Sequence, residues 1–319
     1  MPNLNVAVLG PKGFAKSVGK AGTESDVTFY NLKKGEDTVT IIEPSRYPER
    51  VAPLYFSVAM SQSAILVVDE ITPEFGECVV MLDCAGIKQG YVILRNYLDR
   101  SQVDPLIKGT VVENYNFIED DSIILRESLL ADAAEVKREL SDSPGTVMVD
   151  HHFNVKGIGT VILGGVVKGT IRTHDSVKVI PGDKNAQIRS IQRHDDDCSD
   201  ATEGDRVGLA LKNITAEEID RGQVMTTDDS IKTGDSFKGR ISVVKYWNTP
   251  LKDSMVIHLG HWMSYVSGRI DSVTDGSDPA NPEISISLEK DIAYFPGDKA
   301  IIHHLDAGKL RVVGTIDLE

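Results

Sequence analysis

What this chain lacks narrows its setting before any motif is read. No apolar run approaches the ~20 residues that a helix needs to cross a bilayer, and no signal-peptide pattern precedes the first apolar run. Cysteines number only three, Cys78, Cys84 and Cys198, too few and too scattered for a disulfide framework. A reduced, cytoplasmic setting away from membranes is the expectation. Basic residues are in deficit as well: 34 Lys and Arg against 48 Asp and Glu leave a formal charge of -14. Broad binding to DNA needs a basic surface and is excluded, whereas a local RNA contact on one face is not. The acidic run Asp195-Asp196-Asp197 reads as a solvated loop. The pairs His151-His152 and His303-His304 are adjacent and lack the i, i+4 spacing of a helical metal site, so no transition metal is expected.

What is present begins with a glycine loop. Residues 4–9 form a short apolar run that reads as a buried strand, and Gly10, Pro11, Lys12, Gly13, Phe14, Ala15, Lys16 and Ser17 follow it directly. A phosphate-cradling loop asks for Gly, four residues, Gly, Lys, then Ser or Thr. Gly10, Lys16 and Ser17 fit, while Ala15 stands where the second glycine belongs. Backbone amides do most of the cradling, and Ala15 keeps its amide. Its methyl group is expected where phosphates approach closely, which weakens binding without abolishing it.

At 319 residues the chain has room for two or three domains. Strand-like runs at 4–9, 27–32, 39–42, 64–68 and 91–94 alternate with helical stretches near 49–61, 74–84 and 129–140. That alternation predicts a mostly parallel α/β sheet with ligands at the carboxyl ends of its strands. The turn-rich segment 141–145 is a linker, and β-branched runs separated by Gly, Asp and Asn follow, with a second break at 226–234. The expected order is an α/β P-loop domain over 1–142 and two all-β barrels over 146–230 and 235–319.

That order resembles the translational GTPases: elongation factor Tu, SelB and the gamma subunit of archaeal initiation factor 2. The segment from Val149 through Asp150, His151, His152 and Phe153 to Val161 matches the opening of the family's second domain. Gly204-Asp205-Arg206-Val207-Gly208 and Ile219-Asp220-Arg221-Gly222-Gln223-Val224 add to it. Asp150-His151 and Arg206 look more like SelB than elongation factor Tu. The resemblance implies GTP or GDP with Mg2+ as cofactors, and aminoacyl-tRNA and the ribosome as partners of a monomeric protein. It places Lys16 on the β- and γ-phosphates and Ser17 on magnesium. The motif Asp-x-x-Gly followed by His maps onto Glu43, Arg46 and Tyr47. Glu43 would act on magnesium through water with a longer arm, and Arg46 would lose glycine's freedom yet could bring a fixed charge to the γ-phosphate. Tyr47, ordinarily titrating near pH 10, either replaces the water-positioning imidazole poorly or merely packs.

The guanine motif maps onto Asn96, Tyr97 and Asp99, with Asp99 reading the base and the Tyr97 ring open to stacking. The remaining base-contact loop is expected near Glu127-Ser128-Leu129. Only residues 18–22 separate Ser17 from Thr23, which is either the threonine that caps magnesium or a turn residue, so the first switch is nearly absent. Asp150, His151, Phe153 and Arg206 are the aminoacyl-pocket candidates. For Phe153 a place in the barrel core competes with that role, and for Arg206 and His151 interdomain hydrogen bonds do. The expectation is a SelB-like homologue that binds GTP and an aminoacyl-tRNA with slow or absent hydrolysis. A competent GTPase with unusual catalytic groups, and a nucleotide-independent scaffold or ribosome-binding protein, are the alternatives. The sequence stops at Glu319, whereas SelB proteins continue into a region that recognises a messenger-RNA hairpin, so recoding through such a hairpin is not expected.

Overall fold

The apolar run ahead of the glycine loop forms β1 (Asn3–Leu9), buried at every position because the sheet is covered on both faces. The computed structural model describes residues 3–137, 140–274, 278 and 280–319. Around β1 lie β2 (Lys20–Glu24), β3 (Val27–Lys34), β4 (Asp37–Pro44), β5 (Ser63–Val68), β6 (Gln89–Leu94) and β7 (Asn116–Ile118), in the order β2-β3-β4-β1-β5-β6-β7. The pairs from β4 through β1, β5 and β6 to β7 are parallel, and β2-β3-β4 form an antiparallel edge. Gly10 leaves β1 at φ +133°, where a Cβ would lie 2.3 Å from the Val67 carbonyl oxygen. Only glycine passes there.

Helices α1 (Ala52–Ala59) and α2 (Pro73–Ala85) fall on two of the expected helical stretches, with Pro73 at the start of α2 beside its Thr72 cap. Helix α3 (Arg100–Ile107) follows β6, and α4 (Ser122–Glu135) follows β7. The expected helix at 129–140 starts earlier because Asp121 caps α4, its Oδ1 accepting from the amides of Ile123 at 2.7 Å and Ile124 at 3.2 Å. Glu127, Ser128 and Leu129 therefore stand inside a helix, with Leu129 buried, and form no base-contact loop. The loop after β7 is instead Glu119–Asp121.

Strands β8 (Thr146–Val155), β9 (Gly159–Lys168), β10 (Thr170–Arg172), β11 (Ser176–Ile180), β12 (Lys184–Arg193), β13 (Asp196–Cys198), β14 (Asp200–Thr202), β15 (Arg206–Lys212) and β16 (Val224–Thr226) come next. They run β11-β16-β8-β9-β15-β12, and the β11–β12 pairing closes the ring. A second closed barrel, β17 (Lys232–Val243), β18 (Val256–His261), β19 (Ser264–Thr274), β20 (Glu283–Tyr294), β21 (Lys299–His303) and β22 (Val312–Asp317), has the order β17-β20-β19-β18-β21-β22. The α/β unit and two all-β barrels are thus the observed architecture. Among the described residues no helix is long and apolar enough to cross a membrane.

The three units share apolar surface. The cluster on the α1 and α2 side of the sheet extends into Met148 and Val224 of the first barrel and Met263, Ile301 and Val312 of the second. Charged clamps accompany it. Arg311 donates to both oxygens of buried Glu77, from Nε at 3.0 Å and Nη2 at 2.5 Å, and its Nη1 reaches the Pro48 carbonyl at 3.0 Å. Arg221 grips both oxygens of Asp26 at 2.9 Å while its guanidinium lies 3.9 Å from the Phe56 ring centroid. Truncating Arg311 removes the charge that pairs with a carboxylate whose side chain is 1 % exposed, and leaves it the Arg311 amide at 2.7 Å. Arg311→Ala is expected to lower the unfolding free energy by about 3–5 kcal/mol in urea titration. A loss below about 1 kcal/mol, the worth of an exposed pair, would contradict the clamp.

Candidate functional site

The glycine loop does not open onto a full helix. Phe14–Ser17 make a single 3-10 turn, after which the chain enters edge strand β2. A P-loop ordinarily runs from strand to loop to helix, and the helix N-terminus supplies part of the phosphate field; that part is missing here. The loop amides nevertheless have an anion. Glu43, at the end of β4 and 4 % exposed, accepts at Oε1 from the amides of Gly13 at 2.8 Å and Ala15 at 3.4 Å. Its Oε2 accepts from the Tyr30 hydroxyl at 3.2 Å. Burial and the Glu43 charge push the Tyr30 phenol up to about 12, so it stays a donor. The Ala15 methyl points into the apolar cluster with Val6, Val8, Val18 and Ile41 rather than over the loop mouth.

The other phosphate and magnesium candidates are dispersed. Lys16 is exposed, and the Ser17 hydroxyl donates to the Phe14 carbonyl at 2.9 Å. Thr23 lies on β2 and lines a different cavity from Ser17. Arg46 is exposed. Tyr47 packs against the α1–α2 core, its hydroxyl donating to the Glu74 carbonyl at 3.0 Å, and burial, then Cys78, drives its phenol far above the ordinary range. These residues do not fit a nucleotide triphosphate with Mg2+ as they stand. The donors a phosphate would take are bonded to a carboxylate, and two unit charges 4 Å apart repel by about 4 kcal/mol at an effective dielectric constant of 20.

A cleft of about 440 Å³ lies over the loop, lined by Pro11, Lys12, Gly13, Phe14, Ser17, Arg95, Asp120 and Ser122. Arg95 bridges Asp69 at 3.3 Å and Asp120 at 3.0 Å. Asn96 and Tyr97 take left-handed backbone, φ 52° and 63°. Asn96 Nδ2 donates to the Asp69 carbonyl at 3.3 Å, and the Tyr97 ring is fully exposed. Asp99 is the N-cap of α3 in a capping box with Gln102, accepting from the Ser101 amide at 2.8 Å. The Ser101 hydroxyl, and then the Ser101 amide, hold its carboxyl below the ordinary 3.8.

Three of the four pocket candidates do come together. Asp150 is buried on β8 and pairs with Arg206 of β15, whose Nη2 also donates to Oδ1 at 3.4 Å, and His151 Nδ1 donates to Oδ1 at 2.8 Å. Burial works against the Asp150 charge, but Arg206 and then His151 outweigh it and hold the carboxyl below 3.8. Phe29 of β3 completes the group: the Arg206 guanidinium lies 3.7 Å from its ring centroid, and His151 meets it edge-on at 6.1 Å. Arg206 and Phe29 line a cavity of about 670 Å³ between the sheet and the first barrel, together with Lys20, Lys33, Arg126 and His194. Phe153 stands apart on the outside of the barrel, 40 % exposed; it is not core.

Sequence reasoning passed over Phe29, Tyr30, Arg126 and His194, and it assigned Glu43 to magnesium. One signal was legible: alternation along β4 puts Val39, Ile41 and Glu43 on one face, so an acid sits where the pattern calls for an apolar residue. His194 Nε2 donates to Asn3 Oδ1 at 2.7 Å, and burial, helped by Lys33 and Arg206, lowers the imidazole from 6.5 to about 4. The fold thus favours neutral His194. Its contribution is whole above pH 6.5 and is lost as the pH falls towards about 4, because only the unfolded chain takes up the proton in that window. In urea unfolding, the stability lost in His194→Asn should be larger at about pH 7.5 than at about pH 4.5. An unchanged deficit would show that His194 titrates normally.

Comparison with known proteins places this geometry. A family model described as elongation factor Tu domain 2 matches residues 159–226. An uncharacterized protein of Methanocaldococcus jannaschii is 36% identical over 316 residues, covering 99% of this chain and 99% of its own length. The selenocysteine-specific elongation factor of the same organism is 25% identical, over 94% of this chain and 71% of its own length. Among solved structures, translation elongation factor SelB from Methanococcus maripaludis, in complex with the GTP analogue GppNHp, superposes with a TM-score of 0.83. It is 22% identical and is matched over 100% of this chain and 79% of its own. The chain belongs to one family with the uncharacterized protein of M. jannaschii, carries a segment that matches elongation factor Tu domain 2, and shares the fold of SelB.

Proposed function

We propose that this chain is a cytoplasmic, monomeric carrier that binds the aminoacylated end of a tRNA in the cavity between its α/β unit and its first barrel. The observation that carries the reading is the buried Asp150, which pairs with His151 and holds Arg206 at the side of that cavity. A buried carboxylate with two donors fixes the Arg206 guanidinium, which also stacks on Phe29, as a preorganised polar group of the cavity wall. Lys20, Lys33, Arg126 and Arg206 outnumber Asp195 in the lining, though Lys33 is paired with Asp196 at 2.6 Å, so the cavity is locally basic on a chain whose formal total is -14. That suits the phosphates of a single-stranded RNA end without favouring RNA elsewhere on the surface. The Phe29 face supplies an apolar surface beside them. Ribosome engagement belongs to the same reading as a second partner.

GTP and Mg2+ enter as a second reading, favoured by the open cleft over the glycine loop. Lys16 and Ser17, with Asn96 and Asp99 at the base end, would serve it once Glu43 withdrew from the loop amides; slow or absent hydrolysis would follow from Arg46 replacing the motif's glycine and from Tyr47 packing against the α1–α2 core. The carrier reading does not need that step.

Protection of the aminoacyl ester tests the carrier. With the protein in excess, spontaneous deacylation of at least one class of aminoacyl-tRNA should slow. Asp150→Asn or Arg206→Ala should weaken the apparent affinity about tenfold or more, equivalent to about 1.4 kcal/mol. Unchanged deacylation across every aminoacyl-tRNA would defeat the proposal.

A further inference from the structure

We propose that Glu43 is a built-in anion of the glycine loop: it takes the backbone donors that a nucleotide's phosphate would take, closing the loop to GTP and GDP and holding it folded without them. Four observations converge. Glu43 Oε1 accepts from Gly13 at 2.8 Å and from Ala15 at 3.4 Å, the amides at the centre of the motif. Its other oxygen is held by Tyr30 at 3.2 Å, so the carboxylate has partners on two sides and is 4 % exposed. The Ser17 hydroxyl, which the motif assigns to magnesium, is spent on the Phe14 carbonyl at 2.9 Å. The chain after Ser17 makes strand β2, hydrogen-bonded to β3, where a nucleotide-ordered loop would need freedom.

Each feature removes one requirement for bound phosphate. A carboxylate and a phosphate oxygen compete for the same amide donors. The amides' desolvation is already met from within, so loop and sheet edge gain nothing from a ligand. Glutamate reaches the loop because its side chain is one methylene longer than the aspartate of the family motif, and its strand position is fixed by the Thr28–Glu43 register. The inference concerns the glycine loop alone and stands whether or not the aminoacyl carrier reading holds.

The test pairs wild type with two variants. Wild-type protein, titrated calorimetrically with GTP, GDP or pyrophosphate in Mg2+ up to about 1 mM, should show no saturable heat. Glu43→Ala bares two amides and should lose thermal stability that pyrophosphate restores, binding it at least about tenfold more tightly than wild type does. Glu43→Gln keeps an acceptor oxygen but not the charge; it guards against misfolding of the alanine variant and should show a smaller stabilisation by pyrophosphate. Micromolar GTP or GDP binding by the wild type would overturn the proposal. So would variants that are destabilised yet indifferent to pyrophosphate, since Glu43 would then be a structural carboxylate only.

Discussion

The carboxylate of Glu43 ties together the three strands on which the N-terminal sheet depends. It sits at the end of β4, bonds the loop that leaves β1, and receives the hydroxyl of Tyr30 from β3. A buried carboxylate is costly unless its lone pairs are met by donors. Here two amides and a phenol meet them, and the same bonds satisfy amides that a sharp glycine turn would otherwise leave orphaned. Gly10 can take no side chain against Val67, so the loop's path is set by backbone sterics and its filling by Glu43. Both constraints act before any ligand is considered.

Carboxylates held by arginines mark the junctions between the units. Glu77 with Arg311 joins the sheet to the second barrel, and Asp26 with Arg221 joins it to the first. Asp150 with Arg206 lies within the first barrel, but Arg206 stacks on Phe29 of the sheet. Each couples a charge to an apolar face, so the units are held by packing and by ion pairs, of which Glu77 with Arg311 would leave a buried charge if the units separated. The cavity between sheet and first barrel therefore has fixed walls, which suits a preorganised carrier more than a nucleotide-driven switch.

Much of this was legible in the sequence, for stated reasons. Predominantly apolar runs marked β1, interrupted by Asn5, and β5, and turn-separated β-branched runs marked both barrels, because strand period and burial write directly into composition. Asp150, His151 and Arg206 were legible because their motifs are local and specific. What escaped depended on contacts distant in sequence. Asp99 has the polar groups of a base reader and those of a helix cap, and only the α3 backbone decides which it serves in the structure. The Ala15 methyl was expected at the loop mouth, and the turn after Gly13 sends it into the core. Phe153 could belong to core or surface until the β8 register was fixed; that register shifts between Val149 and His151. Glu43 was legible as a motif residue, but its bond to a loop 28 to 30 positions earlier was not.

The central claim is that this chain presents its proposed aminoacyl pocket without a nucleotide. The direct measurement is the deacylation rate of a protected aminoacyl-tRNA at limiting protein, with GTP and Mg2+, with GDP and Mg2+, and with neither. The account predicts the same protection within about twofold in all three, a coupling free energy near zero between loop and pocket. Protection that appears only with GTP would contradict it, because the loop would then be a working nucleotide site coupled to the pocket.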